Sequence, residues 1–170
     1  MKKALVIFFF LSLITLPTIL PFFNFKFFYT QDYIFIARLQ QMSSALASGQ
    51  FPVRWAPDLR YGEPLFNFYA PLPYYLGVII KLSGLSFIWV AKTLFILSSI
   101  LSAVTMYLLC RKLFDRKAAI LAAFLYTDAP YRAVDIYVRG ALSESFAFIF
   151  FPLIFYASLL LSERKNLTRV

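Results

Sequence analysis

Asp32, Arg38, Arg54 and Arg60 share one polar, Pro- and aromatic-rich window, residues 29–75, in a chain that is otherwise almost continuously apolar. A carboxylate can take a proton from an acceptor hydroxyl, and guanidinium groups can bind phosphate or pyrophosphate oxygens in pairs. Asp32 is therefore the candidate base of the window, and the three arginines are its candidate anion ligands. Each has a structural alternative: an Asp in the first turn of a helix is stabilised by the helix dipole, and arginines near a membrane bind lipid headgroups. Asp58 and Glu63 flank Arg60 and Tyr61. With Asp32 they form a candidate oxygen-ligand set for a divalent cation, or they make loop ion pairs with Arg54 or Arg60.

A second ionisable group, Arg132, Asp135, Arg139 and Glu144, brackets a later break between apolar runs. Charges at membrane depth are costly enough to be functional candidates, although the i,i+4 spacing of Asp135 and Arg139 equally allows an internal salt bridge. Phe66, Phe68, Tyr69, Tyr74 and Tyr75 fit either an interfacial aromatic belt or a groove for an apolar chain or a sugar. With no histidine in the chain, the commonest metal ligand and the usual general base near neutral pH are missing. One cysteine, Cys110, excludes an internal disulfide. No metal site is expected, and no cofactor is assigned.

The elements that must position these groups follow from composition. Hydrophobic residues make up 61% of the chain and charged residues 15%, against roughly 25% charged in an average soluble domain. Apolar runs over 4–25, 87–110 and 146–161 approach the ~20 residues that a helix needs to cross a bilayer. The expected fold class is all-α, a polytopic helical membrane protein. ILSSILSAVTMYLLC lacks the alternation of a barrel strand. The net charge of +9 is gathered in short clusters beside apolar runs: Lys2 and Lys3, RKLFDRK at 111–117, and ERK at 163–165. These read as cytoplasmic anchors under the positive-inside rule, and no basic face on a soluble domain supports nucleic-acid binding.

The whole chain, 1–170, reads as one transmembrane region and as the N-terminal part of a larger protein. Residues 4–28 are expected to form an uncleaved first transmembrane helix kinked by Pro17 and Pro21, and 29–64 an external loop. Within that loop an amphipathic helix is expected over 30–49, capped by Thr30 and lying on the membrane surface. Further membrane segments fill 65–161. If 65–82 crosses fully, RKLFDRK lies outside; if it is re-entrant, all three basic clusters lie on one side, which the charge bias favours. The expected location is the plasma membrane, multi-pass, with a cytoplasmic N-terminus.

The segments QDYIFIARLQQMSSALASGQFPVRWAPDLRYGEPLFNFYAPLPYYL and RKLFDRKAAILAAFLYTDAPYRAVDIYVRGALSE resemble the N-terminal region of 6-pyruvoyl-tetrahydropterin synthase-related polytopic membrane proteins, which are similar in layout to the GT-C glycosyltransferases. The pterin part of that description does not carry over, because pterin synthase chemistry uses histidine-bound zinc. The GT-C resemblance implies transfer of a sugar from a polyprenyl-phosphate donor to an extracytoplasmic acceptor with inversion. Membrane lipid and a polyprenyl-phosphate-linked sugar are then the partners. It implies Asp32 as catalytic base and places Arg54, Arg60 and Arg132, by region, near the donor phosphate, with Arg38 and Arg139 as further substrate-binding candidates. Gln31 and Ile36 stand where many relatives carry histidine. A non-enzymatic transporter or assembly component, and an inactive scaffold, remain open alternatives.

Overall fold

The structure is a computed structural model that describes residues 2–26 and 29–167. Among these residues the chain is all-α, and the only β-type pairing is an isolated antiparallel bridge between Ala56 and Glu63. Two helices are long and apolar enough to cross a membrane: α6 (Phe87–Leu113) and the Leu142–Glu163 part of α9 (Leu142–Leu167). With neither Pro nor Gly in it, α6 runs unbroken for 27 residues, about 40 Å at the helical rise. Ser86 Oγ accepts from Trp89 N–H at its start. Asp115 caps α7 (Arg116–Thr127) in the same way, accepting from Ala118 N–H at 3.0 Å.

The first apolar segment departs from the single helix expected over 4–28. It divides into α1 (Lys2–Ile14), α2 (Leu16–Ile19) and a 3-10 turn (Leu20–Phe23), after which Asn24 is extended. Pro17 and Pro21 lie at the two breaks, where each removes a helical donor. Residues 27 and 28 of the expected helix lie outside the described residues. Lys92, buried on α6, donates from Nζ to the carbonyls of Asn24 and, at 2.9 Å, Lys26, and lies over the Trp89 ring. A buried cation is thereby matched to carbonyls that the broken helix leaves unpaired.

Side-chain contacts give the directions of the elements. Leu11 packs with Ala103, Tyr107 and Cys110, Phe22 stacks on Phe95, and Asn24 meets Lys92, so residues 2–26 run antiparallel along α6. Ser98 Oγ lies 2.6 Å from Ser145 Oγ, and Lys112 Nζ lies 2.7 Å from Glu163 Oε2, so α9 runs parallel to α6 and begins near its middle. The start of α1, the 111–117 cluster and residue 163 therefore sit at one end of the bundle.

At the opposite end, α3 (Phe35–Ala47) and α5 (Leu72–Lys81) pack on the first half of α6, preceded by the single turn α4 (Leu65–Phe68). The apolar stripe of α3, Phe35, Leu39, Met42 and Ala45, faces this protein core instead of lying along a membrane surface as expected. Gly77 makes the close crossing possible, because a Cβ there would stand 2.3 Å from Leu39 Cδ2. At 10 residues, α5 is roughly 15 Å long, half the hydrocarbon thickness. The irregular loop between α3 and α4 is tied down by Gln41: its Nε2 donates to Asp58 Oδ2 at 2.9 Å, and its Oε1 accepts from Asp58 N–H at 3.1 Å.

Candidate functional site

The two ionisable groups, far apart in sequence, form one cleft. Gln31 N–H donates to Val138 O and Asp32 N–H to Arg139 O, both at 2.8 Å, which straps the start of the first window onto the second. This strap also corrects the expected start of the amphipathic helix. Gln31 and Asp32 spend their N–H groups on a distant segment, so α3 begins at Phe35 and Thr30 is not its cap. Asp32 accordingly lies in a turn before the helix, and its partner is a side chain.

The second window is built from α8 (Pro130–Ala133) and a π-helix (Val134–Arg139), ended by Gly140 in the left-handed region at φ +69°. Pi-helical turns are uncommon and concentrate at functional sites. Gly140 is required twice over, by its φ and because a Cβ there would stand 2.2 Å from Thr30 Oγ1. The strap, the π-helix and this contact bring Asp32 and Arg139 to one cavity of about 580 Å³, lined also by Gln31, Phe68, Tyr69 and Glu144. That volume falls within the range of small-molecule sites, roughly 300–1,000 Å³. The neighbouring Ser98–Ser145 contact lies eleven residues into α6, roughly 16 Å along its axis from Phe87.

One wall carries Asp32. Arg38 Nη1 donates to Asp32 Oδ2 at 2.7 Å, the Tyr69 hydroxyl donates to the same oxygen at 3.2 Å, and the Arg38 guanidinium lies 4.1 Å over the Tyr69 ring. The lining also carries Arg139, whose Nη1 lies 2.9 Å from Asp135 Oδ1 and 2.7 Å from Glu144 Oε2 and also donates to the Tyr131 hydroxyl at 3.2 Å. Tyr131 donates in turn to Glu144 Oε1. Asp135 is fully buried; burial, and then the nearby Glu144 charge, push its carboxyl up to about 6.

Among the described residues, Thr30 Oγ1 and Arg132 Nε are buried without a protein hydrogen-bond partner. Arg38 and Asp135 are bonded to Asp32 and Arg139 of the cavity lining, and they also interact with Tyr74 and Glu144 respectively.

The arginine candidates separate. Arg139 lines the cavity, whereas Arg38 is taken up by Asp32 and the Tyr69 ring. Arg60, with φ +57° and a side chain 85% exposed, lies 3.7 Å from Glu63; Arg54 is exposed, and neither lines the cleft. Arg132 is fully buried behind it, its guanidinium 3.4 Å from Ser99 Oγ and from Ser102 Oγ and 4.5 Å from the Phe148 ring. Asp58 is held by Gln41 instead of an arginine. Among the described residues no three Asp, Glu or Cys side chains gather as a metal site. Glu144 and Tyr69, candidates by sequence as an ionisable residue at a break between apolar runs and as one of five aromatics, both line the cavity. Tyr131 was not a candidate, since nothing in the sequence distinguishes it from the other tyrosines.

The cleft thus holds a carboxylate bonded to an arginine and a tyrosine hydroxyl, together with a second arginine shared between two acids and the aromatic side chains of Phe68 and Tyr69. Such a site can take a proton from a hydroxyl and stabilise an anion. Comparison with protein-family models, with curated proteins and with solved structures finds no match to this chain.

Proposed function

We propose that this chain belongs to a polytopic, GT-C-like membrane glycosyltransferase that moves a sugar from a polyprenyl-phosphate donor to an extracytoplasmic acceptor. The observation that carries the reading is that Asp32 and Arg139 line one cavity. In this reading Asp32 accepts the proton of the acceptor hydroxyl as its oxygen bonds to the anomeric carbon. The bond from that carbon to the phosphate oxygen breaks, and the phosphate leaves with the electron pair. Arg139 stabilises the departing phosphate, an interaction that strengthens as water is excluded.

The end bearing the 111–117 cluster is cytoplasmic under the positive-inside rule, and the cleft opens toward the external leaflet. Residues 2–26, α6 and α9 are the membrane-crossing segments, with α5 re-entrant from the outer side. The length of α5 and the gathering of the basic clusters at one end of the bundle support this topology.

A non-enzymatic transport or assembly role is the second reading. It is favoured by Arg132, a charge fully buried beside serines near the middle of α6. Asp32→Asn in the full-length protein separates the two. The transferase reading expects sugar transfer to membrane acceptors to be lost while the protein still inserts and folds. Unchanged transfer removes Asp32 as the base.

A further inference from the structure

Asp32 is held through one oxygen. Arg38 Nη1 and the Tyr69 hydroxyl both donate to Oδ2, at 2.7 and 3.2 Å, and no hydrogen bond among the described residues reaches Oδ1. The two donors are fixed to each other, the guanidinium lying 4.1 Å over the Tyr69 ring. Tyr69 packs in turn on the buried ring of Tyr74, with centroids 5.9 Å apart, and Tyr74 packs on the buried ring of Phe66. The backbone of Asp32 is pinned separately by its N–H bond to Arg139 O. Asp32 and Tyr69 line the cavity, whereas Arg38 does not.

The terminal torsion of an aspartate is broad, so an unrestrained carboxylate sweeps its oxygens through a wide arc. Catalysis by proton transfer requires the accepting atom to stay within hydrogen-bond reach of the reacting hydroxyl, and a displacement of about 1 Å costs roughly 10²-fold in rate. Two donors on one oxygen remove that freedom. We infer that Arg38 and Tyr69 are positioning residues that clamp Asp32 Oδ2 and present Oδ1 to the cavity as the proton-accepting atom. The inference rests on Asp32 acting as base in the proposed transfer. It gives Arg38 the role of orienting the carboxylate in place of binding substrate. The acceptor O–H proton passes to Oδ1 during transfer and leaves to solvent after product release, with Arg38 charged throughout.

The test uses full-length protein in membranes, with radiolabelled polyprenyl-phosphate mannose and polyprenyl-phosphate glucose as donor probes and label in membrane acceptors as the readout. Tyr69→Phe keeps the ring over Arg38 and removes only the hydroxyl. It is expected to lower the rate at saturating donor about tenfold and leave the donor KM within about twofold. Arg38→Lys keeps the charge but loses the planar fork, with an expected loss of about 10²-fold. In an Asp32→Asn background neither substitution changes the residual rate, because the atom they orient is no longer a base. If Arg38→Lys fails to fold, Tyr69→Phe alone decides.

Parental rates in Tyr69→Phe and Arg38→Lys, with Asp32→Asn inactive, overturn the clamp and leave Asp32 as base. A raised donor KM with an unchanged saturating rate makes these residues donor contacts and likewise overturns the clamp. Full activity in Asp32→Asn, or no transfer from either donor by the parent protein, overturns the transfer reading on which the clamp rests.

Discussion

Gly140→Ala tests whether the cleft depends on the close seating of Thr30 against the end of the π-helix. An added Cβ would lie 2.2 Å from Thr30 Oγ1 and 2.7 Å from Thr30 Cβ, with the backbone at φ +69°. A left-handed conformation costs a non-glycine residue about 1–2 kcal/mol. Overpacking of a well-filled site adds about 1–3 kcal/mol. Thr30 cannot swing away freely, because its neighbours Gln31 and Asp32 are bonded through their N–H groups to Val138 and Arg139. The two costs therefore add, and Gly140→Ala should destabilise the protein by about 2–5 kcal/mol, a large fraction of the typical 5–15 kcal/mol. Thr30→Gly removes the three atoms nearest the new Cβ, which relieves most of the overpacking and leaves the backbone cost. The double variant should therefore be at least ~1 kcal/mol more stable than the sum of the single effects predicts. Thermal unfolding of the full-length protein in detergent, followed for the parent, both single variants and the double, measures this coupling. A Gly140→Ala protein within about 0.5 kcal/mol of the parent, or strictly additive effects, would refute the reasoning.

Other expectations follow from the same geometry. The folded carboxyl of Asp135 is raised from 3.8 to about 6, first by burial and then by Glu144. Its contribution to stability is therefore fully present below about 3.8 and lost as pH rises through about 6. Asp135→Asn should flatten that part of the stability profile, and melting at pH 4.5 and 7.5 in parent and variant checks it; identical profiles would count against the burial. Gln41→Ala should release the loop at Asp58, where it makes two hydrogen bonds. A loss of about 1–3 kcal/mol and faster proteolysis within residues 50–64 are expected, and an unchanged cleavage rate would show that the loop is held elsewhere.

Local features were legible where the determining residues are neighbours in the chain. The breaks at Pro17 and Pro21 and the unbroken run of α6 depend on backbone donors that a sequence states directly. The end of α3 is likewise readable from Gly49, which adopts φ +84°. Its start was not, because the N–H groups of Gln31 and Asp32 go to carbonyls more than a hundred residues away. The same distance hid the division among the arginines. Arg54 and Arg60 sit close to Asp32 in sequence but point into an exposed loop, while Arg139 reaches the shared cavity through the strap.

The order of residues by itself determined that the chain is helical, how long its apolar segments run and where its charges gather, since each follows from hydrogen-bond satisfaction and transfer energies along a continuous stretch. Only the tertiary structure decided which charges meet. Asp32 could have capped a helix, held a cation or served a cleft, and its role depended on Arg38, Tyr69 and the backbone of Arg139. Those partners are selected by how α3, α5 and the π-helix pack around α6. That packing is a property of surfaces far apart in the chain, and no local pattern of residue types encodes it.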